Sequence, residues 1–172
     1  ETVDPIVLSA NVVTAIHQIL SRRINPLAAG VITIATINGG TVNNVIPGSV
    51  EMTGTIRSMT QEIREQLHQE IENACRVVEP LGGSFELEII QGYPPTVCDS
   101  QAVETMRSAT ADLFGADKVI DVPPVMAGED FSYMAQAAPG CMVQLGVHDP
   151  AWGDEIYPCL LYTSPSPRDL LK

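Results

Sequence analysis

The chain has 172 residues, of which 45% are apolar. That suits one medium globular domain or two small ones and is too hydrophobic for a disordered chain. A formal net charge of -12 leaves no basic stripe to neutralise phosphates, so nucleic acid and an anionic membrane surface are excluded as partners.

The chain opens Glu1-Thr2-Val3-Asp4-Pro5, with no basic leader and no initiator methionine, a start that reads as the interior of a longer protein. The first helix begins after Asp4-Pro5, aspartate as N-cap and proline at the first helical position. Val12, Val13, Ile16, Ile19 and Leu20 give it an apolar face, and Arg22-Arg23 close it with cations at the negative end of the dipole. Asn25-Pro26 breaks the chain. A β-branched run from Val31 to Ile37 predicts a strand. The loop Gly39–Gly48 leads into a second, alternating run ending Gly54-Thr55-Ile56-Arg57. Val50, Met52, Gly54 and Ile56 share one face; Glu51, Thr53, Thr55 and Arg57 share the other. A second helix, capped by Ser58 or Thr60, carries Ile63, Leu67, Ile71, Ala74 and Val78 at helical spacing and ends at Pro80 and Gly82-Gly83. Phe85, Leu87 and Ile89 then alternate with Glu86 and Glu88, which predicts a third strand.

Helix, strand, strand, helix, strand is an α+β order. One strand added in front completes the β-α-β-β-α-β split fold, the ferredoxin-like sandwich. The expectation is that this first strand lies upstream of Glu1. Gly92-Tyr93-Pro94-Pro95 marks a stiff boundary. Beyond it the pattern predicts a helix over 102–114, a short strand over 118–122, a loop through Met126-Ala127-Gly128, a helix from Glu129-Asp130 to about Ala138, and a strand over 141–147. Alternating helices and apolar strands suggest an α/β layer, too small for an independent core. From Cys159 onward the sequence matches, residue for residue, a translated transposase sequencing adapter, so 159–172 reads as a non-native tail; a natural Ser/Pro-rich tail is the alternative.

Arg57 is the most suggestive side chain. A guanidinium on a rigid strand offers a planar carboxylate a bidentate fork, though a solvated edge arginine has the same pattern. Metal sites need clustered ligands, and His17, His68 and His148 are far apart with no ligand spacing; all three read as surface or loop residues. Glu129-Asp130 reads either as a catalytic carboxylate pair or as acids favoured at a helix start. Cys75 and Cys141 read as small buried hydrophobes, and the lack of any C-x-x-C pair among the four cysteines suits a reducing cytoplasm. Gly39-Gly40-Thr41 is no phosphate loop, because neither a helix nor a lysine follows.

Several ordered motifs resemble the dimeric metallo-amidohydrolases that include aminoacylase, hippurate hydrolase and the auxin-conjugate hydrolases. They are Glu1-Thr2-Val3-Asp4-Pro5-Ile6, Gly39-Gly40-Thr41 with Asn44-Val45-Ile46-Pro47, Gly54-Thr55-Ile56-Arg57-Ser58, Gly92-Tyr93-Pro94-Pro95 and Gly128-Glu129-Asp130-Phe131. The resemblance implies a zinc-type catalytic domain with an inserted ferredoxin-like lid through which two subunits dimerise. Residues 1–92 resemble the lid, without its first strand, and 93–158 resemble the C-terminal part of the α/β metallopeptidase catalytic domain. It further implies cleavage of N-acetyl or aroyl amino acids by two divalent metals (Zn, Mn or Co) that share a bridging water. Arg57 would bind the substrate carboxylate, Asn44 would reach the partner subunit's active site, and Gly128 would line the pocket. The family's Cys/His/Glu-Glu metal segment has no counterpart here, and its final metal histidine is displaced by Cys159-Leu160, so no metal ligand or catalytic residue is expected and the segment alone should be inactive. Asn38 departs from the histidine common before Gly-Gly-Thr. The other readings are a stand-alone ferredoxin-like dimerisation or binding module and, among enzymes, a dipeptidase or a desuccinylase with the same lid.

Overall fold

The computed structural model describes residues 2–146. Residues 2–141 form one compact unit, and 142–146 begin a second, with no helix or strand assigned to them.

Helix α1 (Pro5–Arg22) starts as its sequence dictates: the Asp4 carboxylate accepts from the Ile6 amide at 2.9 Å, and Pro5 occupies the first turn, where a missing N–H costs nothing. Strands β1 (Gly30–Gly39) and β2 (Val50–Ser58) pair antiparallel, Ile32 opposite Ile56 and Val31 opposite Arg57. The register shifts between Ile34 and Thr36, a bulge that presses the two backbones together. Gly54 lies opposite it, and a Cβ there would stand 2.2 Å from the Thr33 carbonyl oxygen, so only glycine fits. Helix α2 (Gln61–Cys75) is capped by the Thr60 hydroxyl, which accepts from the Ile63 amide at 3.3 Å. A 3-10 turn, Arg76–Leu81, extends it, and Gly82 in the left-handed region (φ 82°) ends it.

α1 and α2 lie on one face of the β-hairpin. Val12, Ile16 and Ile19 of α1, Ile24, and Leu67, Ile71, Cys75 and Val78 form the core, flanked by Ile32, Ile34, Met52 and Ile56 of the sheet. The opposite face carries the polar residues of both strands, with the Thr36 and Thr53 hydroxyls hydrogen-bonded at 2.5 Å.

Three expected strands are not formed. Residues 85–89 keep their predicted alternation only in part: Phe85 packs on the core and Glu86 and Glu88 are exposed, but Leu87 is exposed too. They pair with nothing, because the described residues form a two-stranded sheet only. In a split β-α-β arrangement the last strand lies beside the first, and no strand precedes α1 among the described residues. The segments at 118–122 and 141–146 join no sheet either; a 3-10 turn, Ala116–Lys118, takes the start of the former, and residue 147 lies outside the described range. A strand without a neighbour has no acceptors for its amides, however β-branched its sequence.

Helix α3 (Ser100–Phe114) begins two residues earlier than its pattern suggests, because the Asp99 carboxylate caps the Ala102 amide at 2.9 Å. Helix α4 (Phe131–Ala137) is short. The architecture is thus α+β. Among the described residues no helix is long and apolar enough to cross a membrane.

Candidate functional site

Arg57 is the last outward-facing residue of β2. Its guanidinium Nη1 donates to the Met126 carbonyl at 2.5 Å, so strand β2 meets the loop that carries Gly128. The other cations show why this matters. Arg23 pairs with Glu70, Arg76 with Glu72 and Glu79, Arg107 with Asp121, and Lys118 with Asp117. Among the described residues Arg22, Arg57 and Arg64 pair with no carboxylate, although the chain is strongly acidic; each donates to a main-chain carbonyl instead, Arg22 to its neighbour Ser21 and the other two to residues far along the chain. A neutral carbonyl satisfies one N–H and leaves the positive charge and the rest of the fork for an anion.

Arg64, on α2, donates to the Tyr93 carbonyl. The Tyr93 ring in turn lies against Gly128, where a Cβ would stand 3.1 Å from Cδ2. The same ring meets Tyr133 of α4 edge-on, centroids 5.9 Å apart at 69°. Arg57, Met126, Gly128, Tyr93 and Tyr133 therefore surround one place in the fold.

Asn44 is elsewhere. It lies in the exposed turn between β1 and β2, at the opposite end of the hairpin from Arg57. Val50 to Arg57 alone spans roughly 23 Å at about 3.3 Å per strand residue. So of the three expected substrate contacts, Arg57 and the Gly128 loop come together and Asn44 stays apart.

The acids at 129–130 do not cap α4. Asp130 holds the N-cap position with helical backbone angles and makes no capping bond. Fully buried Ser132 closes the first turn instead: its hydroxyl donates to the Glu129 carbonyl at 2.6 Å. His17 is exposed. His68 is half-buried on α2, and burial, with the Arg64 cation adding, holds its pKa below the usual imidazole value against an opposing pull from Glu65. Burial pushes the Cys75 thiol up, with Glu72 adding, so it is no nucleophile. Cys141 is half-buried and its thiol donates to the Ala102 carbonyl at 3.5 Å. His148 and Cys159 lie outside the described residues. No group of three or more His, Cys, Asp or Glu side chains that could hold a metal occurs among the described residues, so a two-metal centre does not fit the residues described.

Sequence patterns missed Arg64 and the bodies that Tyr93 and Tyr133 bring to the site. Arg64 sits among charges on a helix and reads as solvated; Tyr93 reads as part of a boundary. The one available signal was Tyr93 preceding two prolines, a rigid segment with an aromatic at its start.

The sequence matches the profile of peptidase family M20/M25/M40 over residues 6–157. It is 35% identical to an N-acetyldiaminopimelate deacetylase of Limosilactobacillus fermentum over 153 residues, covering 88% of this chain and 40% of that protein. It is 32% identical to an IAA-amino acid hydrolase (ILR1-like 2) of Arabidopsis thaliana over 158 residues, 86% of this chain and 34% of that one. Among solved structures it resembles an aminohydrolase of methicillin-resistant Staphylococcus aureus, with a TM-score of 0.68 at 29% identity, over 80% of this chain and 36% of that one. The chain thus spans well under half the length of these relatives. It belongs to the M20/M25/M40 peptidase family, among that family's amidohydrolases.

Proposed function

We propose that this chain is the substrate-holding portion of a metal-dependent amidohydrolase that cleaves the amide bond of N-acyl amino acids, with N-acetyl or aroyl groups as the acyl part. The observation that carries the reading is the Arg57 guanidinium, fixed on a strand, without a carboxylate partner, and bonded to the Met126 carbonyl two residues before Gly128. Arg57 takes the substrate carboxylate in a bidentate clamp. Gly128 lines the pocket near the scissile bond, where a side chain would collide with Tyr93. The relatives named for an N-acetylated amino acid and for an IAA-amino acid support an acylated amino acid as substrate.

Residues 1–92 act as a ferredoxin-like lid whose first strand is supplied from elsewhere in the protein, and 93–158 act as the C-terminal part of the catalytic domain. Two divalent metals, a general-base glutamate and the first-strand residues belong to the full-length enzyme, and the segment alone is inactive. The lids pair as a homodimer, which carries Asn44 to the partner's site; the exposed Val42, Val45 and Ile46 around it fit an interface. We place the enzyme in the cytoplasm and treat 159–172 as non-native, beyond the family match that ends at 157. A stand-alone binding module is the weaker reading, because the family match runs on through the segment after residue 92.

In the full-length enzyme, Arg57→Ala should abolish the preference for an N-acyl amino acid over its carboxamide. Loss of charge-assisted hydrogen bonds of about 1.5–3 kcal/mol corresponds to roughly 10- to 150-fold in kcat/KM for the acid alone. An unchanged preference removes Arg57 from carboxylate recognition. Metal-dependent hydrolysis by purified residues 1–172 would overturn the assignment of catalysis to missing parts.

A further inference from the structure

We propose that Arg64 is a positioning residue: it anchors the Tyr93 carbonyl so that the Tyr93 ring holds the Gly128 loop in place while Arg57 is left free to exchange its partner. The 126–133 segment is tied to the hairpin and α2 by two arginine routes. One is direct, from Arg57 to the Met126 carbonyl. The other is indirect, from Arg64 to the Tyr93 carbonyl and then through the Tyr93 ring to Gly128 and Tyr133.

The two routes differ in what a ligand can do to them. A carboxylate arriving at Arg57 outcompetes a neutral carbonyl, because both partners are then charged and the fork is used twice. The direct route therefore shares its guanidinium with any anion that binds. Arg64 is the less exposed of the two arginines, so an arriving anion meets Arg57 first. The Tyr93 carbonyl precedes Pro94, which confines the Tyr93 backbone to extended conformations. Anchoring that carbonyl thus fixes the ring, and the ring fixes the loop. Gly128 is part of the device, since a Cβ would push the ring away. The substrate half of this division of labour rests on the reading proposed above; the positioning half is a property of the chain alone.

The test uses the 172-residue chain. Hydrogen exchange is followed at the Ser132 and Tyr133 amides, which bond to the Glu129 and Asp130 carbonyls, with the ring-current shift of the Gly128 Hα protons as a signature of the Tyr93 ring. Arg64→Ala should speed exchange at both amides about 10-fold or more and return the Gly128 shift toward its random-coil value. Exchange in α1 and in the β1–β2 ladder should not change. Arg64→Lys, which keeps one cationic donor, should restore both readouts to within about threefold. Arg57→Ala should leave the Gly128 shift in place. The proposal fails if Arg64→Ala leaves the shift unchanged, if it speeds exchange throughout the chain, or if lysine does not rescue. In the full-length enzyme Arg64→Ala should raise KM equally for an N-acyl amino acid and its carboxamide. Intact chain readouts with a selective loss on the acid would overturn the positioning role; a normal chain response with no acid selectivity at Arg57 would instead overturn the proposed carboxylate site.

Discussion

Residues before and after Gly92 bury very different things. Every buried hydrophobic side chain among the described residues lies between Val12 and Val78, where two helices close over one face of a hairpin. From Gly92 to Gly146 the one fully buried side chain is Ser132, while Leu113, Phe114, Ile120, Val122 and Leu145 are exposed. Composition does not explain the contrast, since both stretches are rich in aliphatics. Partners do. The first region returns each apolar face onto another element of its own, and the second presents apolar faces with nothing described to meet them. A hydrophobic pattern specifies a face to be covered, and the fold must supply the cover.

The largest expected effect tests that contrast directly. Leu67 is completely buried among α1, α2 and the sheet, so Leu67→Ala should cost about 3 kcal/mol through lost transfer energy and a residual cavity. Leu113, 76% exposed on α3, should cost less than about 0.5 kcal/mol as Leu113→Ala. Urea denaturation followed by circular dichroism checks both. Equal costs would mean that α3 is covered in solution and the comparison is wrong.

Next in size is a pair of glycines. Gly54→Ala drives a Cβ into the Thr33 carbonyl across a paired ladder, where backbone must move, and should cost about 1–3 kcal/mol. Gly128→Ala meets only a side chain, the Tyr93 ring at 3.1 Å, on a residue that is 47% exposed, and no backbone. It should leave the urea midpoint nearly unchanged while altering the Gly128 loop. A large midpoint shift at Gly128 would show that the second region is as tightly packed as the first.

Helix caps give a smaller contrast. Asp4→Ala removes the acceptor of the Ile6 amide on a helix that carries core residues, and should lower stability by about 1 kcal/mol. Asp99→Ala removes an equivalent bond on α3, which buries nothing. Its effect should appear as local fraying in amide exchange with the urea midpoint unmoved.

These same residues show what the sequence could and could not disclose. Asp4-Pro5, the α1 stripe and the Ile63-Leu67-Ile71 stripe are local signals, and local chemistry decides them. The two faces of β2 were legible because strand periodicity needs no knowledge of the partner. The failure at 85–89 was one of pairing: alternation told which side Phe85 would face, but a strand exists only beside another strand. At the site, Arg57 was visible as a cation on a polar face. Its approach to Met126 joins residues 69 apart and has no local signature. Arg64 was hidden for the same reason, its acceptor lying beyond the helix that carries it.

The smallest expected effect is a pH dependence confined to the first region. His68 has a folded pKa below 6.5, chiefly because burial disfavours the charged ring. The unfolded chain therefore binds a proton more readily than the folded one between the folded value and 6.5, and protonation favours unfolding there. The contribution is fully present above about pH 6.5 and is lost as pH falls through the folded value. His68→Gln removes it, so the difference in urea midpoint between wild type and variant should shrink the advantage of wild type on going from pH 7.5 to 5.5. Because His68 sits on α2 beside Arg64, the same step should leave exchange in α3 untouched. A matching change in α3 would show that the two regions unfold as one, and the contrast in burial would then not extend to cooperativity.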